Sequence, residues 1–159
     1  MAGIARFDHF AIAVRDIEES ARVFQEAFGA RLAFKKESEE LGVVSAFFTW
    51  GDKMVTMEQP TRGDSTFADF VRKRGEGIHH IAIEVDDIEA MITDLEARGF
   101  KVVNKQLSGD LRREALVLPM QFFGILLQIV EWRGECKESL SARLAFSRDH
   151  RQVPGKSYP

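Results

Sequence analysis

The chain has 159 residues, of which 45% are hydrophobic and 30% charged, with a formal net charge of −3, a length that suits one domain or two small modules sharing a core. The mild acidity gives no electrostatic basis for nucleic acid or an anionic membrane as a partner, and no apolar run approaches the roughly 18 residues of a membrane span. The start, MAGIARFDH, lacks a charged segment followed by an apolar stretch, so no secretory leader is expected; the lone Cys136 has no internal disulfide partner and reads as a bystander thiol in a reducing, cytoplasmic setting.

The first strand-like run is DHFAIAV, Asp8 to Val14, and nearly the same run returns as HHIAIEV, His79 to Val85. Setting His9 against His80, an offset of 71, matches seven of ten positions without a gap: His9, Ala11, Ile12, Val14, Asp16, Ile17 and Glu18 meet His80, Ala82, Ile83, Val85, Asp87, Ile88 and Glu89. The identity runs past the strand into the start of a helix, which marks a duplicated unit rather than chance likeness between strands.

In the first copy Asp16 is placed to cap a helix, with Glu19 three residues on as in a capping box. Ile17, Ala21, Phe24, Ala27 and Phe28 follow at helical spacing and Gly29 is a stop. Strand patterns then fall near Arg31–Lys36, Val43–Trp50 and Lys53–Gln59. Between the copies, TRGDSTFADFVRKRGEG predicts a short helix capped by Ser65 or Thr66, with Phe67, Phe70 and Val71 facing inward. The second copy repeats the order: a helix from Asp87 to Gly99 with Ile88, Met91, Ile92 and Leu95 as its stripe, then strands near Lys101–Gln106, Glu114–Leu118 and Ile125–Trp132. SLSARLAFSRDH adds a helix, and QVPGKSYP reads as a loose, mildly basic end.

The expected fold is α+β: two tandem βαβββ modules forming a paired, curved half-barrel sheet with a central cleft. The expected organisation is one domain over residues 1–135 (module one about 6–60, linker helix 61–76, module two about 77–132) and a helix and tail over 136–159. Because duplication gives both halves equivalent positions, His9 and His80 are expected to converge, which turns two ordinary strand histidines into candidate metal ligands. His79 alternates to the other face and reads as a surface or packing residue.

DHFAIAV, GIHHIAIEVDDIEA and FGILLQIVEW resemble the vicinal oxygen chelate superfamily (glyoxalases, bleomycin resistance proteins, extradiol dioxygenases), and the resemblance covers about Phe7 to Glu131. GVVSAFF and DSTFADFVRKRGEGIHH make it most similar to the methylmalonyl-CoA epimerase branch. The resemblance implies a divalent metal (Zn, Co, Ni, Mn or Fe) held by His9 and His80, with oxygen donors from the fourth strand of each module. In the second module that position is Gln128, where glutamate is commoner. In the first it is Thr56, a weak ligand where Glu or Gln is usual. Glu58, two residues on and on the same strand face, either reaches the site or lies on the rim in water. Glu131, three residues past Gln128, faces away and reads as surface.

The family chemistry so implied is stabilisation of an enolate by a metal that chelates two neighbouring substrate oxygens. An epimerase also needs acid/base groups on both faces of the reacting carbon. The resemblance puts Ser45 and Gln128 at those positions, and neither is a base near neutral pH. Glu58 is the remaining candidate catalytic carboxylate, with Ser45 and Thr56 as candidate substrate contacts. The reading is therefore a metal-dependent isomerase or lyase acting on a small carboxylate, 2-oxo acid or acyl thioester. The alternatives are a non-catalytic, resistance-type binding protein and a non-haem iron dioxygenase of the same fold. A small-molecule partner and a homodimer are expected. Lys35, Lys36, Arg112 and Arg113 read as solvated surface charge rather than a coenzyme A phosphate site.

Overall fold

The structure, a computed structural model, describes residues 3–150, so QVPGKSYP lies outside the described residues. In chain order the elements are β1 (Ile4–Ala13), α1 (Ile17–Phe28), β2 (Arg31–Ser38), β3 (Val43–Trp50), β4 (Lys53–Pro60), α2 (Thr66–Arg74), β5 (Gly77–Val85), α3 (Ile88–Ala97), β6 (Val102–Gln106) and β7 (Arg112–Val117). A 3₁₀ turn (Pro119–Gln121), β8 (Leu126–Trp132), α4 (Glu135–Glu138) and α5 (Leu140–Asp149) complete them. The βαβββ unit occurs twice, as the repeat predicts, and the class is α+β. Among the described residues the strands form one hydrogen-bonded series of eight, β2-β3-β4-β1-β5-β8-β7-β6. The chain clusters into two compact units: one is built on His80–Ala142 with the start of the chain through His9, the other on Phe10–His79 with the segment from Arg143.

Local chemistry explains where the helices begin and end. Asp16 has extended backbone and its carboxylate accepts the Glu19 N–H at 3.0 Å, satisfying one of the donors a helix N-terminus leaves open. The expected capping box is only half made: the Glu19 carboxylate turns instead to the Arg22 guanidinium, at 2.7 and 2.9 Å, because a two-pronged charged partner outcompetes a single backbone N–H. Gly29 stops α1 at φ 68, a left-handed conformation that costs glycine nothing. Asp87 repeats the cap on α3 by accepting the Ala90 N–H at 2.9 Å. Ser65, rather than Thr66, caps α2 through the Ala68 N–H at 3.1 Å.

Each unit buries its helix against its own strands. In the Phe10–His79 unit, Ile17, Ala21 and Phe24 of α1 pack on Ala46 and Phe48 of β3 and Val55 and Met57 of β4. Phe24 and Phe48 meet edge to face at 5.3 Å, and burying each ring contributes about 1.5–3 kcal/mol. The stripe ends early: Ala27 and Phe28, expected on it, are exposed. In the His80–Ala142 unit, Ile88, Met91 and Ile92 of α3 pack on Ala115, Val117, Leu127 and Ile129. Strand side chains alternate, so in both units the strand positions between these core residues point away from the helix, and that second face carries the polar residues described next.

Candidate active site

Within the Phe10–His79 unit, β3 and β4 pair antiparallel with Ser45 opposite Glu58 and Phe47 opposite Thr56. Residues directly opposite in a ladder share a face, so Ser45, Thr56 and Glu58 lie together on the side away from α1. All three are buried; Glu58 is only 5% exposed, which removes the rim position in water that the sequence left open. The Ser45 hydroxyl donates to the Glu58 carboxylate. Burial pushes the Glu58 carboxyl up to about 7, with hydrogen bonds from Ser45 and Thr56 pulling the other way. A carboxylate in low dielectric loses hydration that two hydroxyls only partly replace.

Within the His80–Ala142 unit, the His9 and His80 rings stand edge to face with centroids 5.5 Å apart. His9 is buried, and its Nδ1 lies 2.7 Å from Asp8 Oδ2. Asp8, also buried, accepts the Trp132 indole N–H through Oδ1 at 2.9 Å. Gln128 sits beside Ala82 in the parallel β5–β8 pair, on the face turned from α3. Its Nε2 donates to Glu114 Oε2 at 2.9 Å, while its Oε1 is buried and has no hydrogen-bond partner among the described residues. The carboxylate can only accept, so the amide nitrogen must face it and the oxygen is the atom left open.

Asp8, Glu114 and Trp132 had not been singled out from sequence. Glu114 reaches Gln128 because Leu116 pairs with Gln128 in the β7–β8 register, and the long connection between the two strands hides that register from the sequence. Asp8 carried a weak signal, being polar inside an apolar strand. Two further expectations change, and the His79 reading is narrowed. Glu131 does face away from Gln128, but it is buried and not at the surface: its Oε2 accepts the Ile88 N–H at 2.9 Å at the start of α3, where a negative charge is favoured. Arg112 is partly buried and paired, 2.6 Å from Glu114 and over the Trp132 ring at 5.3 Å; Lys35 pairs with Glu18 at 2.5 Å and Lys36 donates to the Ser147 carbonyl at 3.0 Å. Arg112 and Lys36 are thus partly buried, whereas Lys35 is exposed and remains a surface charge as expected. His79 is a packing residue, stacked on Phe67 with ring centroids 4.2 Å apart, and burial pulls its imidazole down to about 4.

In the His80–Ala142 unit, His9, His80 and Gln128 are side chains whose chemistry is compatible with a divalent cation. No group of three His, Cys, Asp or Glu that could hold one occurs among the described residues; beside the two imidazoles, the buried Gln128 amide oxygen is an acceptor left open. A native structure rarely leaves such an atom unsatisfied. Two imidazoles with one amide oxygen suit a metal of borderline character.

Comparison with known proteins agrees with this architecture. The chain is 29% identical over 129 residues to the mitochondrial methylmalonyl-CoA epimerase of Homo sapiens, covering 79% of this chain and 73% of that protein. It is 29% identical over 130 residues to the ethylmalonyl-CoA/methylmalonyl-CoA epimerase of Cereibacter sphaeroides, covering 79% of this chain and 97% of that one. Its fold is similar to that of Streptomyces coelicolor methylmalonyl-CoA epimerase in complex with 2-nitronate-propionyl-CoA, with a TM-score of 0.71 and 27% identity over 83% of this chain and 100% of the other. The family model for the Glyoxalase/Bleomycin resistance protein/Dioxygenase superfamily matches residues 8–114, and the chain belongs to that superfamily.

Proposed function

We propose that the chain is an isomerase of the epimerase type, moving a proton next to the carbonyl of a small acyl-coenzyme A thioester such as methylmalonyl-CoA. The observation that carries this reading is Glu58: a buried carboxyl, bonded by Ser45, with its titration raised to about 7. A base works best when its pKa lies near the working pH, and burial moves the Glu58 carboxyl in that direction. The resemblance in sequence implies Ser45 at an acid/base glutamate position, and the Ser45 hydroxyl donates to the Glu58 carboxylate. The carboxylate takes the proton from the carbon, and the bonding pair moves toward the thioester oxygen as an enolate. His9, His80 and Gln128, all in the His80–Ala142 unit, are the proposed donors for a divalent cation, which when bound would act as a Lewis acid toward oxygen ligands.

Solvent exchange tests the reading. In deuterium oxide with methylmalonyl-CoA, the wild-type chain incorporates deuterium at the carbon next to the thioester, and Glu58→Gln lowers the rate by about 10²–10⁴-fold. Failure of the wild-type chain to exchange any acyl thioester, 2-oxo acid or small carboxylate overturns it.

A further inference from the structure

Three buried side chains form a line behind the proposed cation donors: Trp132 donates its indole N–H to Asp8 Oδ1 at 2.9 Å, and Asp8 Oδ2 lies 2.7 Å from His9 Nδ1. An indole nitrogen only donates, and an ionised carboxylate only accepts. With one carboxylate oxygen engaged by the indole, the other meets His9 Nδ1, so the short contact requires the imidazole proton on Nδ1. Nε2 is then the nitrogen with the lone pair. A cation donor whose second ring nitrogen is held by a carboxylate has its tautomer and ring orientation fixed before any ligand arrives.

We infer that Asp8, itself anchored by Trp132, is a positioning residue that locks His9 into the Nδ1–H tautomer and thereby presents Nε2 to a divalent cation. The inference rests on the reading of His9 as a cation donor. Its consequence is that the Nε2 lone pair depends on an atom outside the donor set. An asparagine at position 8 has nearly the shape of the aspartate but only one acceptor oxygen. If that oxygen stays with the Trp132 N–H, the amide NH₂ faces His9 Nδ1, which must then accept. The proton moves to Nε2, and the donor is switched off while remaining in place.

The test uses the full chain and Co²⁺ as the probe. Long-range ¹H–¹⁵N correlation on the metal-free protein reads the tautomer of His9 directly, with His9→Gln assigning the signal. The expected wild-type result is Nδ1–H; Asp8→Asn gives Nε2–H and weakens Co²⁺ binding by about 10–100-fold. In Asp8→Asn/Trp132→Phe the indole donor is gone, so the new amide oxygen is released to accept from His9, and both the Nδ1–H tautomer and most of the Co²⁺ affinity return. A residue that merely supported the fold would show no such rescue. Nε2–H in the wild-type protein overturns the inference, whatever happens to the variants. Unchanged tautomer and affinity in a folded Asp8→Asn protein also overturn it. Wild type that shows Nδ1–H but takes up no Co²⁺ upholds the positioning role of Asp8 and refutes the cation-donor reading of His9 instead.

Discussion

Ser45 and Glu58 face each other as a register pair of β3 and β4, and the serine hydroxyl donates to the glutamate carboxylate. Removing that donor deprives the charged form of a partner, so Ser45→Ala drives the Glu58 titration further upward from about 7, following the rule that a bond to the charged form lowers a carboxyl pKa. The ascending limb of the pH–kcat/KM profile moves to higher pH in Ser45→Ala. Activity falls several-fold at pH 6–7 and recovers at alkaline pH. An unshifted limb would separate Glu58 from the ionisation that limits the rate.

Glu58 and His79 set opposing pH dependences of stability in the metal-free chain. Folding raises the Glu58 pKa from 4.5 to about 7, so its contribution is fully present below 4.5 and is lost as pH rises toward 7. Folding lowers the His79 pKa from 6.5 to about 4, so its contribution is present above 6.5 and is lost as pH falls toward 4. The two slopes partly cancel between pH 4.5 and 6.5. With chelator present, Glu58→Gln leaves the histidine slope uncovered and Tm rises with pH across this window. His79→Leu does the reverse. Parallel Tm curves for wild type and both variants would contradict the assignment.

Removing either proposed histidine donor should abolish stoichiometric Co²⁺ or Zn²⁺ uptake, read by elemental analysis after gel filtration. The two variants should differ in stability. His9→Ala strips the buried Asp8 carboxylate of one of its partners and costs about 1–3 kcal/mol, whereas the half-buried His80 costs less when truncated. Stoichiometric metal retained in either variant refutes that residue as a ligand.

Glu114 fixes which end of the Gln128 amide is open. Glu114→Leu frees the amide to rotate and weakens cation binding about 10-fold. Gln128→Glu sets two carboxylates against each other, lowering Tm without metal, and adds a formal charge to the donor set, enlarging the rise in Tm when metal is added. Isothermal titration and thermal melts with and without Co²⁺ measure both effects. Equal metal-induced shifts in wild type and Gln128→Glu would exclude residue 128 from the donor set.

The fold was legible where its determinants are local. Asp16 and Asp87 cap helices through N–H groups three residues away, and β3 runs over Val43–Trp50, the stretch expected of it. The pairing of His9 with His80 was legible because duplication wrote the same strand twice. What stayed hidden depends on register and on distant partners. Nothing near Glu58 shows that a serine thirteen residues earlier lies opposite it. Asp8 and Trp132 are separated by 124 positions, and Glu131 reads as surface until the start of α3 is seen above it. The carboxylates absent from the proposed donors sit one hydrogen bond further out, on Asp8 and Glu114.

The Trp132 contact has an optical consequence. The chain has two tryptophans: Trp50 is 44% exposed, whereas Trp132 is 2% exposed and bonded to Asp8. Acrylamide will quench Trp50 emission selectively, leaving a blue-shifted signal from an indole one residue removed from His9. Paramagnetic Co²⁺ at His9 would darken that remaining emission and diamagnetic Zn²⁺ would not, so the unlabelled protein carries its own fluorescent gauge of cation occupancy.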